Sequence, residues 1–272
     1  MCGRYVTISK IKEIEKRFGV TAASPDDYQV NANVSPGQKS AVITDAHPDQ
    51  LEFFTFGFTP FWATKRMYVI NARSEGDHNK DDDPKYKGAK GIINKPMFRS
   101  SIRSKRCLVI ADAFIEGPKT EKLSKPFCVY LQDGERPFAF AGIWDEWADQ
   151  STGELIHSFA IITTTAEGVL QKIGHHRSPV ILDREGEGLW LDKNLPLAEA
   201  TNLLNSSPEH RLNAYPISTD IKNSRMHGLE LLRPIGERVL PEYTYELHQS
   251  LQLEGMGAAP ARQRRLFDDD AN

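Results

Sequence analysis

Cysteine is scarce in this sequence. Cys2, Cys107 and Cys128 are spread over 272 positions with no CxxC pair, which argues against a disulfide framework and a cysteine-based zinc site. No run approaches the roughly 18 apolar residues of a membrane span, and no apolar leader follows the N-terminus. The expectation is a protein with no membrane partner in a reducing, cytoplasmic compartment. A strong overall charge is also missing. The net value is −3, so total charge does not announce a nucleic-acid partner. One local absence says more: from Pro84 to Ala111 there is no acidic residue, while Lys85, Lys87, Lys90, Lys95, Arg99, Arg103, Lys105 and Arg106 are all basic. Such a stretch neutralises phosphates, and that neutralisation supplies much of a protein's affinity for nucleic acid. The interleaved Tyr86 and Phe98 are of a type that stacks on bases. The alternative is a solvated basic face balanced by the acidic loop at Asp77 and Asp81–Asp83.

What is present supports one sizeable core. Apolar residues make up 39% and charged residues 26% of the chain, ordinary for a globular domain. Short Val-, Ile-, Phe- and Thr-rich runs at 40–44, 52–58, 68–71, 107–111, 126–131, 137–144 and 156–164 read as strands broken by turn residues. Helices are predicted at 8–19, with Ile11, Ile14 and Phe18 on one face and Gly19 as C-cap, and at 95–104, 166–173, 185–191 and 196–205. Residues 20–37 read as turns. Strands without regular βα alternation predict an α+β fold, a single domain around a curved, barrel-like, mostly antiparallel β-sheet with flanking short helices. That domain is expected over residues 1–240. The extension 241–272 is Gly-, Ala-, Gln- and Arg-rich and is expected to be poorly ordered at its end.

Several stretches carry candidate chemistry. Met1-Cys2-Gly3-Arg4 opens the chain, and a residue as small as Cys2 normally permits trimming of the initiator methionine. The mature terminus then bears an amine titrating at roughly 7.7–8.0 beside a thiol near 8.5. Such an amine condenses with an aldehyde to a Schiff base, and the thiol can close onto the imine carbon as a thiazolidine. An exposed start to the mature chain is expected. In Ile70-Asn71-Ala72-Arg73-Ser74-Glu75, Asn71 and Arg73 project from one face of a strand, either an amide beside a phosphate-shaped fork or, taken in isolation, simply a solvent face. In Ala111–Gly117, Asp112 and Glu116 are either carboxyls among apolar residues, which would raise their pKa for proton transfer, or strand-end acids that face water. Gly174-His175-His176-Arg177 offers an acid–base imidazole and another phosphate-binding guanidinium. Adjacent histidines rarely share one ion and no matching cluster exists, so no metal is expected. In Phe56–Trp62, Phe56 and Phe58 are read as core; Trp62 stands between core and a wedge among bases. Trp144, Trp147, Cys107 and Cys128 read as core.

In this order the segments Met1–Arg4, Asn33-Val34-Ser35-Pro36-Gly37, Gly57–Trp62, Asn71–Glu75, Phe114–Glu116 and His175–Pro179 resemble the SRAP family, the SOS response-associated peptidase-like or abasic-site processing proteins, across residues 2–235. The departures are Gly117 for the family's Trp, which would loosen packing beside Glu116, Ser178 for Met, and Phe56 for Trp. The resemblance implies a protein that binds abasic sites in single-stranded DNA, in the cytoplasm and at the nucleoid during DNA damage, and crosslinks the sugar aldehyde to Cys2 as a thiazolidine. By position, Cys2 is the nucleophile and Asn71 orients the sugar. Glu116 manages protons, and His175 acts on the ring oxygen or phosphate. Arg4, Arg73 and Arg177 grip phosphates, with Trp62, Asn33, Lys95 and Arg99 completing the DNA-binding set. No cofactor is implied, and a monomer suffices. The rival readings are a thiol (auto)peptidase built on Cys2, His175 and Asn71, an N-terminal-nucleophile amidotransferase, and a non-covalent DNA-damage binding module. In the tail, Gln263-Arg264-Arg265-Leu266-Phe267 resembles a sliding-clamp docking peptide.

Overall fold

Strands dominate the fold, and most are buried on both faces. The computed structural model describes residues 2–83, 85–86, 88–132, 134–205 and 211–242; of the expected extension only Pro241 and Glu242 fall within them, Glu242 accepting from Tyr130 at 2.6 Å, and its clamp-like peptide lies outside. In chain order the elements are β1 (Tyr5–Thr7), α1 (Ile11–Phe18), β2 (Thr21–Ala22), β3 (Asn31–Val34), β4 (Lys39–Thr44), β5 (Gln50–Phe56) and β6 (Asn71–Arg73). Then follow α2 (Ser101–Ser104), β7 (Arg106–Ala111), β8 (Ala113–Glu116), β9 (Phe127–Leu131), β10 (Phe138–Ala148) and β11 (Leu155–Thr165). The last are α3 (Gly168–Lys172), β12 (Arg177–Pro179), β13 (Ile181–Leu182), α4 (Arg184–Leu191), α5 (Leu197–Asn202) and β14 (Leu212–Pro216).

Two sheets form the body. One has the order β14-β9-β8-β1-β3; the other runs β12-β11-β10-β7-β4-β5-β2. In the second, β5 also pairs in parallel with β11, Ser158 opposite Thr55 and Phe159 opposite Phe56. That contact closes β11, β10, β7, β4 and β5 into a ring, so the expected α+β fold around a barrel-like, mostly antiparallel sheet is what the chain adopts.

Period-two alternation assigns the faces. In β7, Cys107, Val109 and Ala111 join one cluster with Phe138 and Phe140 of β10, Phe159 and Ile161 of β11, and Tyr5, Phe114 and Val129 of the other sheet. The intervening Leu108, Ile110, Ala139, Ala141, Ala160 and Ile162 face outward and are covered by Ile14, Ile102, Trp190 and Ala200 from the helices. Trp190 is wholly buried, and its indole N–H donates to the carbonyls of Cys107 at 3.1 Å and Gly142 at 3.2 Å. Gly142 has to lack a side chain there, since a Cβ would stand 2.7 Å from Val109. The outer face of the five-stranded sheet is covered by Ile221, Leu231 and Leu232. Both faces of most strands are thus apolar, which explains their near-continuous hydrophobic runs.

The sequence reading missed some elements and misplaced others. The turn-rich 20–37 holds β2 and β3. The helix predicted at 95–104 is confined to Ser101–Ser104, with a 3-10 turn at Gly91–Asn94 before it. Phe98 packs against Phe58 with ring centroids 5.8 Å apart, so it belongs to the core and not to a base-stacking surface. Arg106, counted in the basic run, is 1% exposed; its guanidinium donates to the carbonyls of Trp190 at 2.7 Å and Asp192 at 2.5 Å. Phe56, Phe58, Trp147, Cys107 and Cys128 are buried as expected. Trp144 is half-buried, its indole donating to Asp45 at 3.0 Å. No helix among the described residues is long and apolar enough to cross a membrane.

Candidate active site

The site is assembled by sheet register. Tyr5 of β1 lies opposite Phe114 of β8 in an antiparallel pair, and the Ile115 amide donates to the Arg4 carbonyl at 2.9 Å. Continuing that register sets Gly3 across from Glu116, so the first residues meet the end of β8. Cys2 is not an exposed start: it is 1% exposed and packs into the core between the sheets. Asn71 and Arg73 arrive on β6, which pairs in parallel with β11. The side-chain amide of Asn71 donates to the Cys2 carbonyl at 3.1 Å, while its own Oδ1 is buried without a partner. His175 follows α3, whose end is turned by Gly174 at φ 78°. Its ring lies with Nε2 3.2 Å from a Glu116 oxygen. Asn71, Cys2, Glu116 and His175 therefore form one contiguous group.

The protons of this group follow from who can accept. His175 Nδ1 is 2.6 Å from the Gly117 carbonyl. A carbonyl only accepts, so Nδ1 carries the proton and Nε2 presents its lone pair to Glu116. Burial pushes the Glu116 carboxyl up from 4.5 to about 7, against the lowering effect of the N-terminal positive charge and a Cys2 hydrogen bond. Burial, then the N-terminal charge, holds His175 down to about 3. Below about pH 7 the contact is therefore a hydrogen bond from a protonated carboxyl to a neutral imidazole, and not an ion pair. Burial first, and Glu116 second, also push the Cys2 thiol well above its usual value. Gly117 does not loosen this corner. A Cβ on it would stand 1.9 Å from the Lys122 carbonyl, so the turn packs tightly and aims the Gly117 carbonyl at His175.

Above the group opens a cleft of about 600 Å³ lined by Gly3, Arg4, Ile70, Arg73, Glu116, Lys119, Lys122, His175 and His176 among others. Arg4 is braced by Asn33 at 2.7 Å, Ser35 at 2.6 Å and the Lys222 carbonyl at 2.9 Å. Asn33 is wholly buried and donates to the carbonyls of Asn223 and Met226; it supports Arg4 from behind and does not face the cleft. Arg177 is not in the cleft wall. It is 1% exposed and pairs with Glu75 at 2.8 Å and Asp82 at 3.2 Å. Burial pushes Glu75 up, but the Arg177 hydrogen bond and charge outweigh it and hold the carboxyl low. Asp112, the other carboxylate of its segment, sits at the far end of β8 and accepts from the amides of Ile8 at 2.5 Å and Ser9 at 2.8 Å; it is a structural turn anchor. Trp62 is 50% and Phe61 57% exposed. Lys95 is ion-paired with Asp77 and Arg99 is exposed. Lys119 and Lys122 were missed because the basic run drew attention to 84–111; the signal for them is their place just after Glu116-Gly117-Pro118.

Comparisons with known proteins identify the family to which this chain belongs. The profile of the family described as SOS response associated peptidase (SRAP) matches residues 1–224. The chain belongs to the SRAP family. It is 30% identical over 239 residues to the abasic site processing protein YoqW of Bacillus subtilis, covering 85% of this chain and 99% of that one. It is 27% identical over 244 residues to the abasic site processing protein HMCES of Xenopus tropicalis, covering 77% of this chain and 68% of that one. A crystal structure of a protein from Bacteroides thetaiotaomicron superposes with a TM-score of 0.73 at 27% identity, covering 86% of this chain and 99% of that one.

Proposed function

We propose that residues 1–240 form an abasic-site processing unit that captures the sugar aldehyde of a single-stranded abasic site on Cys2. The observation that carries this reading is the contiguous group of Asn71, Cys2, Glu116 and His175 under a cation-rimmed cleft. After loss of Met1 the Cys2 amine attacks the aldehyde carbon. The amine gives up a proton, the carbonyl oxygen gains one, and protonated Glu116 supplies the second proton that lets water leave as the protonated imine forms beside the Glu116 carboxylate. The thiol then adds to the same carbon, its proton passing to the Glu116 carboxylate, and a thiazolidine ring closes. A carboxyl held near 7 suits both directions, since it gives and takes a proton at neutral pH. The unpartnered Asn71 Oδ1 is an acceptor for a sugar hydroxyl or the imine N–H. A neutral thiol is no obstacle, because the amine acts first.

The peptidase reading draws less support. A Cys-His-Asn device needs imidazole against the thiol, whereas Glu116 stands between Cys2 and His175, and Asn71 holds the Cys2 carbonyl. The test is incubation with a single-stranded abasic oligonucleotide followed by denaturing electrophoresis. The wild type gives a heat-stable adduct; Cys2→Ala gives none. Cys2→Ser keeps the amine and gives an adduct only when borohydride traps the imine. Adducts that persist in Cys2→Ala, or a purified protein whose intact mass retains Met1 and still crosslinks, overturn the proposal.

A further inference from the structure

Five cations were nominated from the sequence to hold a DNA strand, and one acidic loop engages three of them. Asp82 lies 2.9 Å from Arg73 and 3.2 Å from Arg177, with Lys119 and His176 each 3.9 Å away. At the other end of the loop Asp77 pairs with Lys95. Arg73 also donates to the Asn79 carbonyl at 3.1 Å, so both arms of its fork grip the loop. Inside the loop the Asn79 side chain accepts from the Asp83 amide at 2.9 Å and donates to the Asp83 carbonyl at 3.0 Å. Asp82 itself takes a left-handed backbone, φ 57°, which Asp tolerates better than most residues. Arg73, Lys119 and His176 line the cleft above Cys2. Arg177 lies behind them, in contact with the Asp82 carboxylate.

We propose that the Asp77–Asp83 loop is a built-in counter-ligand: the Asp82 carboxylate occupies a backbone-phosphate position, and an entering DNA strand displaces it. The idea rests on the strand-binding reading of the cleft. Two guanidiniums and an ammonium around one carboxylate are the set that a phosphate recruits. The loop also engages Arg177, a residue whose type and place suggested a phosphate contact, at 3.2 Å beside its closer partner Glu75 at 2.8 Å. A tethered competitor raises the threshold for any strand. An undamaged strand offers only phosphates in exchange, whereas an abasic strand adds contacts at Asn71 and Cys2 and wins the exchange more readily. The loop thus sets how tightly any strand binds. It also lowers salt sensitivity, because cations already neutralised by Asp82 release fewer counterions when phosphate arrives.

The test is non-covalent binding to single strands, one undamaged and one carrying a tetrahydrofuran abasic analogue that has no aldehyde, followed by anisotropy over a series of salt concentrations. Asp82→Asn binds both strands several-fold more tightly, by a similar factor for each, and steepens the log–log salt slope by roughly 0.7 for each additional cation left to counterions. Asp82→Glu keeps the charge and stays near wild type. In the wild type, hydrogen exchange at the Asp83 amide speeds up when the strand binds, a reading that needs no variant to fold. Asp82→Asn with wild-type affinity and slope, or an Asp83 amide that exchanges no faster with DNA bound, overturns the proposal while leaving strand binding intact. Failure of wild type and Asp82→Asn alike to bind either strand overturns the nucleic-acid reading and this proposal with it.

Discussion

Replacing Glu116 by Gln isolates the proton held beneath the cleft. The carboxyl is held up from 4.5 to about 7 by burial, so between those pH values the folded chain keeps a proton that the unfolded chain has released. Stability is therefore fully present below 4.5, falls as pH rises through this window, and is level above it. The 2.5-unit displacement corresponds to about 3 kcal/mol at 1.36 kcal/mol per unit. His175 runs the other way. Held down to about 3 from 6.5, it stays neutral in the folded chain while the unfolded chain protonates, so its contribution is lost as pH falls below 6.5. Between 4.5 and 6.5 the pair carries one proton in both states, on Glu116 when folded and on His175 when unfolded, and the two slopes offset each other. Glu116→Gln removes one slope and leaves the other. Urea unfolding at half-unit pH steps will show the variant gaining on wild type by about 3 kcal/mol from pH 4.5 to 7 and by nothing further above it. Parallel curves for variant and wild type would refute the proton assignment.

Two further perturbations address the surroundings of the group. Glu75→Ala leaves the Arg177 guanidinium, 1% exposed, without its nearest carboxylate and should cost about 3–5 kcal/mol, read as a lower urea midpoint with an unchanged m-value. Gly117→Ala places a methyl against the Lys122 carbonyl, 1.9 Å away before relaxation. The turn must shift and carry its carbonyl off His175, costing about 1–3 kcal/mol and slowing adduct formation more than strand binding.

The strands that were legible in the sequence are those whose burial is plain in their composition. β10 and β11 are long and apolar; β10 covers the predicted 137–144 from Phe138 on, and β11 contains the predicted 156–164. β1 is three residues long and β3 reads Asn-Ala-Asn-Val, too short and too polar to register; each is fixed by a partner far away in the chain, β8 and β3 flanking β1. β14, Leu212–Pro216, owes its existence to β9 in the same way. Within the site, Cys2, Asn71, Glu116 and His175 could be picked out because their residue types suit one chemistry and their segments match a family order. The fate of the arginines was not legible. Arg106 and Arg177 look like free cations in sequence, and only tertiary partners, backbone carbonyls for one and Glu75 and Asp82 for the other, take them out of reach. The basic run divides likewise into Lys105 paired with Asp145 and Lys95 paired with Asp77. Its acidic neighbours were visible as a balancing loop, but their position over the cleft was not.

The central placement of β1 sets a timetable for the ribosome. One neighbour of Tyr5–Thr7, Ala113–Glu116, is made more than a hundred positions after it, and His175 later still. Until then Cys2 is a thiol on an unstructured nascent chain, with no carboxyl beside it and no imidazole behind that carboxyl. The corner comes into being only after His175 has been made, so translation products that stop short of it carry the motif without its surroundings.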